Sequence, residues 1–354
     1  MRIVSDRILP LALAVTGILF LSGCGRKGVT KKLIIYSPHG KEMLSEFEKR
    51  YERLHSDVDV QWIDMGSQDV YDRIRTEREN PQADLWWGAP STMFLRAEKE
   101  SLLEPYVPSW DTAIDPAYKS KGGYWYGTFL TPEVIAYNSH LIKKEGAPQD
   151  WDDLVDRKWR DKILIRYPLA SGTMRGVFAS IIARAYSRTG KPEDGYTWLL
   201  KLDANTKSYT ADPTQLYLKL AREEGEITIW DMPDIVIQEM QNGYPFGYVI
   251  PKSGTVVLTE GIGIVRGSRN KELAEDFYEF VTSKASMILQ ANDFYRIPTR
   301  KDLDQSALPS WMTQEKITVL DVDWSFALEH EQEWLRYWDE KIKGRGKEYV
   351  GDVR

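Results

Sequence analysis

Three short apolar runs separated by two amphipathic stretches between residues 32 and 90 constrain this chain most, because they demand alternating strands and helices. Residues 32–36 (KLIIY) read as a strand, followed by Ser37-Pro38-His39-Gly40 and a helical pattern that puts Leu44, Phe47, Tyr51 and Leu54 on one face. Residues 58–63 (VDVQWI) alternate as a second strand, and Gly66-Ser67-Gln68 opens a helix carrying Val70 and Ile74 that Asn80-Pro81 stops. Residues 83–87 (ADLWW) form a third strand ending at Gly88-Ala89-Pro90. Such alternation builds a largely parallel sheet whose ligands bind at the strands' carboxyl ends, so the three loops should share one edge.

The alternation resumes after a change of character. Residues 125–137 (WYGTFLTPEVIAY) read as extended chain broken at Thr131-Pro132, and residues 162–166 (KILIR) as a buried strand leading through Pro168 and Ser171 into a long helix. Residues 226–230 (EITIW) make another strand ending at Asp231-Met232-Pro233, and residues 247–251 (GYVIP) return the chain toward 255–265 (TVVLTEGIGIV). Two long extended connections then join two lobes, which a chain of 354 residues, past the size at which one core stops growing, leads one to expect. A helix over residues 271–283, a loop at Ile297-Pro298 and an aromatic-rich helical tail over 324–338 complete the pattern.

The start of the chain carries a separate signal. An apolar run over residues 8–21 follows Arg2 and Arg7; it is shorter than the roughly 20 residues a spanning helix needs and suits a signal-peptide core. It closes on Leu21-Ser22-Gly23-Cys24, and Cys24 is the only cysteine, so no internal disulfide forms. The tetrapeptide resembles the lipobox of bacterial lipoproteins, which implies removal of residues 1–23, lipid on Cys24, a tether over residues 24–31 and a place outside the cytoplasmic membrane. A buried structural cysteine is the other reading, but no core precedes the first strand. Losing two arginines and one aspartate moves the formal charge from -6 to -7, and with only short basic patches a nucleic-acid partner is not expected. Among the 13 tryptophans, Trp86-Trp87 and Trp230 stand beside Gly, Pro and Asp, where flat rings line ligand clefts.

The stretch from Gly23 to Gly28 has the glycine spacing of a dinucleotide fingerprint but lies ahead of the first strand, where that fingerprint cannot work. No phosphate-binding P-loop, HExxH or G-x-S-x-G string occurs, and the 4 histidines (His39, His55, His140, His330) are not spaced as metal ligands. Nothing calls for a cofactor or supports an enzyme. What remains is a set of loops that open helices with small, hydrogen-bonding residues, and such helix mouths attract negative charge. Ser171-Gly172-Thr173, with Arg175 close behind, reads either as an oxyanion contact or as an N-cap, and Ser67-Gln68 carries the same two readings. Ser37 and His39 follow the first strand, where binding loops concentrate, against a solvated-loop reading. Asp231 is either a carboxylate for a ligand hydroxyl or ammonium, or ordinary Asp-x-Pro turn chemistry.

Four segments in this order resemble the bacterial extracellular solute-binding proteins of ABC importers, in the branch with iron(III)-, thiamine-, phosphonate- and sugar-phosphate-binding members. They are IIYSPHG (34–40), the run from Asn80 to Gly88, ASGTMR (170–175) and GTVVLTEGIGIV (254–265) with a later Tyr-Arg-Ile-Pro turn (295–298). The resemblance spans residues 33–300 and implies the type II periplasmic-binding fold, an α/β architecture of two lobes, each a mostly parallel sheet flanked by helices, joined by a two-strand hinge. The expected lobes are residues 32–130 with 252–354, the helical tail included, and residues 131–251. The implied partners are a small-molecule ligand, a permease with its ATPase and, through Cys24, a membrane, for a protein that works as a monomer.

In that family His39 matches a metal-ligating histidine of iron-binding members, but their adjacent tyrosines are missing and Trp230-Asp231 stands in that place, a poor ferric cage. The expected ligand site therefore comprises Ser37, His39, Gly40, Ser67, Gln68 and Trp87 facing Ser171, Gly172, Thr173, Arg175, Trp230 and Asp231, with Glu260 near the hinge. Helix mouths and an arginine at one end, acids at the other, suit a phosphonate or phosphorylated metabolite. Thiamine is the rival, since tryptophans with Asp231 and Glu260 also suit a cation; iron(III) and, in another class, a secreted hydrolase or transferase on a two-lobe scaffold are the further alternatives.

Overall fold

The computed structural model describes residues 30–314 and 316–351. Strands β1 (Lys31–Ser37), β2 (Val58–Asp64), β3 (Leu85–Pro90) and β4 (Leu103–Glu104) alternate with helices α1 (Lys41–Leu54), α2 (Ser67–Thr76) and α3 (Ser91–Lys99). The long β5 (Tyr126–Asn138) crosses to a second set: β6 (Ile163–Arg166), α4 (Gly172–Thr189), α5 (Glu193–Asn205), β7 (Thr206–Thr210), α6 (Pro213–Ala221), β8 (Ile227–Asp231), α7 (Met232–Asn242) and β9 (Phe246–Val249). β10 (Val257–Val265) returns to the first set, followed by α8 (Lys271–Val281), α9 (Lys284–Phe294), β11 (Ile297–Pro298), α10 (Trp311–Gln314), α11 (Trp324–Tyr337) and α12 (Gly346–Gly351). Among the described residues no helix is long and apolar enough to cross a membrane. The expected signal peptide, Cys24 and most of the expected tether lie outside the described residues.

The sheet runs β2-β1-β3-β10-β5-β8-β6-β7. β1 is parallel to β2 and β3, and β6 is parallel to β7 and β8, while β5 and β10 run antiparallel to their neighbours. β5 serves both halves: residues 126–132 pair with β10, and residues 133–137 pair with β8. The apolar core divides the same way. Leu33, Phe47, Trp87 and Phe277 fill one face of the first half, Tyr36, Trp86 and Phe94 the other, and Ile165, Phe178 and Ile229 anchor the second half. The expected two-lobed α/β architecture with two crossing strands is present.

Four details differ from the sequence reading. Pro132 does not break β5, because it pairs with Val257 and the next amide, that of Glu133, donates to Val256 at 2.9 Å. Ile297-Pro298 is a two-residue strand on β5 rather than a loop. Leu54 ends α1 facing solvent, 68% exposed. The tail does not belong with the first half. α4 is buried on most of its circumference and needs a cover away from the sheet, which α11 and the turn after it supply with Ala327, Trp334, Leu335 and Trp338. Trp334 and Trp338 are fully buried there, each costing roughly 3–5 kcal/mol if truncated to alanine.

Candidate functional site

Five helices begin at one cleft of about 340 Å³ between the halves, lined near the first turns of α2, α4, α6 and α7 and by the loop before α1. This follows from the chain's alternation: each helix follows a strand's carboxyl end, so their N-termini gather at one edge of the sheet. Of the residues the sequence singles out, His39, Ser67, Ser171, Thr173, Trp230, Asp231 and Glu260 line this cleft. Gly40 lines an adjoining space.

The others lie elsewhere, each for a packing reason. Ser37 is wholly buried beneath the loop and accepts from the His39 amide at 3.2 Å. Gln68 turns along its own helix to Asp72, 2.9 Å away. Trp87 is a core side chain whose edge meets the His39 ring, 5.4 Å between centroids. Gly172 is where the halves touch: an added Cβ would lie 3.0 Å from both Pro90 and Ser67. Arg175 does not face the cleft, because Glu331 of α11 takes its Nε and Nη2 at 3.2 and 3.1 Å.

Two other arginines line the cleft, Arg296 and, at the end of β6, Arg166. Arg166 is 4% exposed, and its Nη atoms reach only carbonyls, Thr210 at 3.3 Å and Ala170 at 3.2 Å. Its Nε has no hydrogen-bond partner, and no carboxylate forms an ion pair with it among the described residues. Burial pushes its pKa down, and the fields of Asp212 and Asp69 push it back up. Asp69 and Asp212 line the same cleft but do not touch the guanidinium, and a desolvated guanidinium with no anion in contact is costly unless one arrives to complete it. Beside it the mouth of α2 has no side-chain cap, whereas α4 is capped by Ser171, whose hydroxyl accepts from the Met174 amide at 3.2 Å. Uncapped amides, Ser67, Thr173 and a planar fork form a pole suited to a phosphoryl or phosphonate oxyanion.

The opposite end is acidic. Glu260 sits at a register shift of β10, a bulge that turns its side chain toward the cleft, where it accepts from the Ala89 amide at 2.6 Å. Ala89 itself is held at φ 107, a strained value for alanine that aims this amide. Asp231 caps α7 through the Asp234 amide at 3.0 Å, the ordinary turn chemistry of its motif, and the same side chain lines the cleft. Arg296, from the first half, reaches across to Asp234 at 3.1 Å and approaches Asp231 at 4.0 Å. Glu133, paired in register with Asp231, is fully buried and neither carboxylate oxygen has a partner among the described residues. Burial raises the pKa of Glu133, Asp231 and Asp64, and lifts that of Glu260 to about 7.

His39 stands between the two poles. Its ring packs over Gly88, where any Cβ would come within 2.4 Å of the imidazole, and burial with the nearby Arg296 keeps it neutral. Its Nε2 is sealed from solvent with no hydrogen-bond partner. No group of three or more His, Cys, Asp or Glu side chains placed to hold a metal occurs among the described residues.

Residues 81–330 match the family described as bacterial extracellular solute-binding protein. The chain belongs to that family. This solute-binding protein is 24% identical over 94% of its length to a probable ABC transporter periplasmic-binding protein of Sinorhizobium fredii, of which it covers 92%. It is 26% identical over 80% of its length to a putative 2-aminoethylphosphonate-binding periplasmic protein of Salmonella typhimurium, covering 79% of it. It superposes on the periplasmic binding protein AfuA from Actinobacillus pleuropneumoniae, solved with exogenous fructose-6-phosphate bound, with a TM-score of 0.77 at 25% identity, over 89% of this chain and 99% of that one. Family members bind and carry solutes outside the cytoplasm, which sets aside the hydrolase or transferase reading.

The raised Glu260 pKa has a signed consequence for this binding protein. A carboxyl titrating near 7 when folded and near 4.5 when unfolded stabilises the fold below about pH 4.5 and loses that contribution as pH rises through 7. Without ligand, the stability of wild type relative to Glu260→Gln should therefore fall on the order of 3 kcal/mol between pH 4.5 and 8. Urea titrations of both proteins across that range measure it, and parallel curves would show that Glu260 stays ionised.

Proposed function

We propose that this protein is the binding component of an ABC importer, capturing a small phosphonate or phosphorylated metabolite by closure of its halves and passing it to a permease. The buried guanidinium of Arg166, with its Nε unpartnered and no carboxylate in contact, at the uncapped mouth of α2 carries this reading. The relatives support it, being named for ABC transport and 2-aminoethylphosphonate binding, with the AfuA structure holding a sugar phosphate. The ligand would meet Ser67, His39 and Glu260 of the first half and Arg166, Thr173, Trp230 and Asp231 of the second. Contacts to both halves favour the closed form.

The far end of the ligand then bears hydroxyls or an ammonium, for which Asp231 and Glu260 supply acceptors. Thiamine would satisfy these acids but leave Arg166 Nε without a hydrogen-bond partner. Iron(III) would find an imidazole able to ligate it, but beside the positive Arg296 and with no tyrosine pair. A diacylated Cys24 and a short tether would hold the protein at the outer face of a membrane, where it meets the permease as a monomer.

Calorimetric titration of protein freed of co-purified solute tests the reading. Methylphosphonate and phosphomonoesters should bind with 1:1 stoichiometry and no turnover, and Trp230 fluorescence should report the event. Binding of thiamine or ferric ion with no phosphoryl compound competing would refute it.

A further inference from the structure

The cleft continues into a second chamber of about 520 Å³ on the side of α1 and α7. The two spaces share a waist that includes His39, Asp64 and Arg296 from the first half and Thr214 and Asp234 from the second. The halves meet at the outer rim of this chamber as well: Gln241 Nε2 of α7 donates to the Asp293 carbonyl of α9 at 3.1 Å, and Ile237 packs on the first half's core. The chamber is thus bounded by both halves, and whatever fills it is gripped by closure.

Its lining beyond the waist is of a different kind from the first chamber. The only charged side chains there are Lys41 and Glu42, 3.7 Å from each other. Gln238 and Asn242 offer neutral amides, with Asn242 Nδ2 donating to Gln238 Oε1 at 2.7 Å and leaving the Gln238 amide hydrogens to other acceptors. Met43, Ile237 and Phe294 supply apolar surface. A second phosphate would meet only cations already matched to carboxylates, Lys41 with Glu42 and Arg296 with Asp234, and an ammonium would leave the apolar wall unused. An uncharged body with hydroxyls on one side and C–H groups on the other matches both surfaces.

We propose that this chamber is a second subsite, which receives the hydroxyl-bearing body of the ligand, so that the protein prefers a phosphorylated sugar or polyol to a two-carbon phosphonate. This rests on the phosphoryl-binding reading above, with Arg166 holding the phosphate and the chain of the ligand passing the waist.

The test compares methylphosphonate, 2-aminoethylphosphonate and glucose 6-phosphate by calorimetry on wild type, Gln238→Trp and Gln238→Ala. Glucose 6-phosphate should bind wild type at least tenfold tighter than either phosphonate. Gln238→Trp, which fills the second chamber and touches nothing in the first, should erase that advantage while methylphosphonate affinity stays within about twofold; Gln238→Ala, which leaves the chamber open, should retain most of it. Phosphonates binding as tightly as the sugar phosphate, or Gln238→Trp weakening all three ligands equally, would overturn the second subsite and leave the phosphoryl-binding reading intact. Failure of all three ligands on wild type would overturn both.

Discussion

Replacing Arg166 by alanine is expected to weaken phosphoryl or phosphonate binding about a hundredfold and leave the fold intact. Truncating one partner of a buried charge pair costs a complex about 2–5 kcal/mol, and each 1.4 kcal/mol is a factor of ten. Folding should not suffer by the same amount, because the native guanidinium receives only two carbonyl contacts, at 3.3 and 3.2 Å, in exchange for its hydration. The thermal midpoint of Arg166→Ala without ligand should therefore equal or exceed that of wild type, while the stabilisation produced by added ligand disappears. Arg166→Lys should fall between, since it keeps a charge but loses the planar fork. Wild-type affinity in Arg166→Ala would remove this residue from the site, and with it the main support for an anionic cargo.

The contrast between Arg166 and Arg175 shows where a sequence stops being readable. Both arginines flank the same helix mouth, and Arg175 sits where an anion-binding helix would carry one. Its partner Glu331, however, lies 156 residues further on, in a tail that sequence alone attaches to the first half. Arg166 closes the strand KILIR with nothing local to mark it as a cleft residue, yet that strand end points into the cleft and the charge is buried with it. Trp87 fails similarly: strand alternation puts Trp86 and Trp87 on opposite faces, but both faces of this sheet are covered by helices, so neither ring is free to stack on a ligand. What local pattern does determine is the convergence of helix mouths, because strand-to-helix connections in a parallel sheet fix the edge at which they emerge. The acidic floor depends instead on β5, β8 and β10 lying side by side, a long-range pairing that brings Glu133, Asp231 and Glu260 together and that no local spacing encodes.

The tail that captures Arg175 also predicts a large loss of stability. Glu331 is 2% exposed and accepts from two guanidinium groups at once, Arg96 of α3 in the first half and Arg175 of α4 in the second. Removing its carboxylate by Glu331→Ala leaves Arg175, whose side chain is 8% exposed, charged and without its anion, while Arg96, at 22%, can recover water. Breaking a buried pair in this way costs about 3–5 kcal/mol, more than the pair itself contributes over an apolar replacement. Chemical denaturation should register a loss of that size in the transition that reports the second half, with α11 released from α4. The cycle closing through Arg175→Met with Glu331→Met should return most of it, because two apolar side chains of similar length need no counter-charge. The same variants probe coupling to the cleft: α4 brings Ser171 and Thr173 to its lining, so loosening its first turn should weaken binding severalfold, well short of the effect of Arg166→Ala. A stability change below about 0.5 kcal/mol in Glu331→Ala would mean that water reaches both guanidinium groups, and that the tail is held by Trp334 and Trp338 alone.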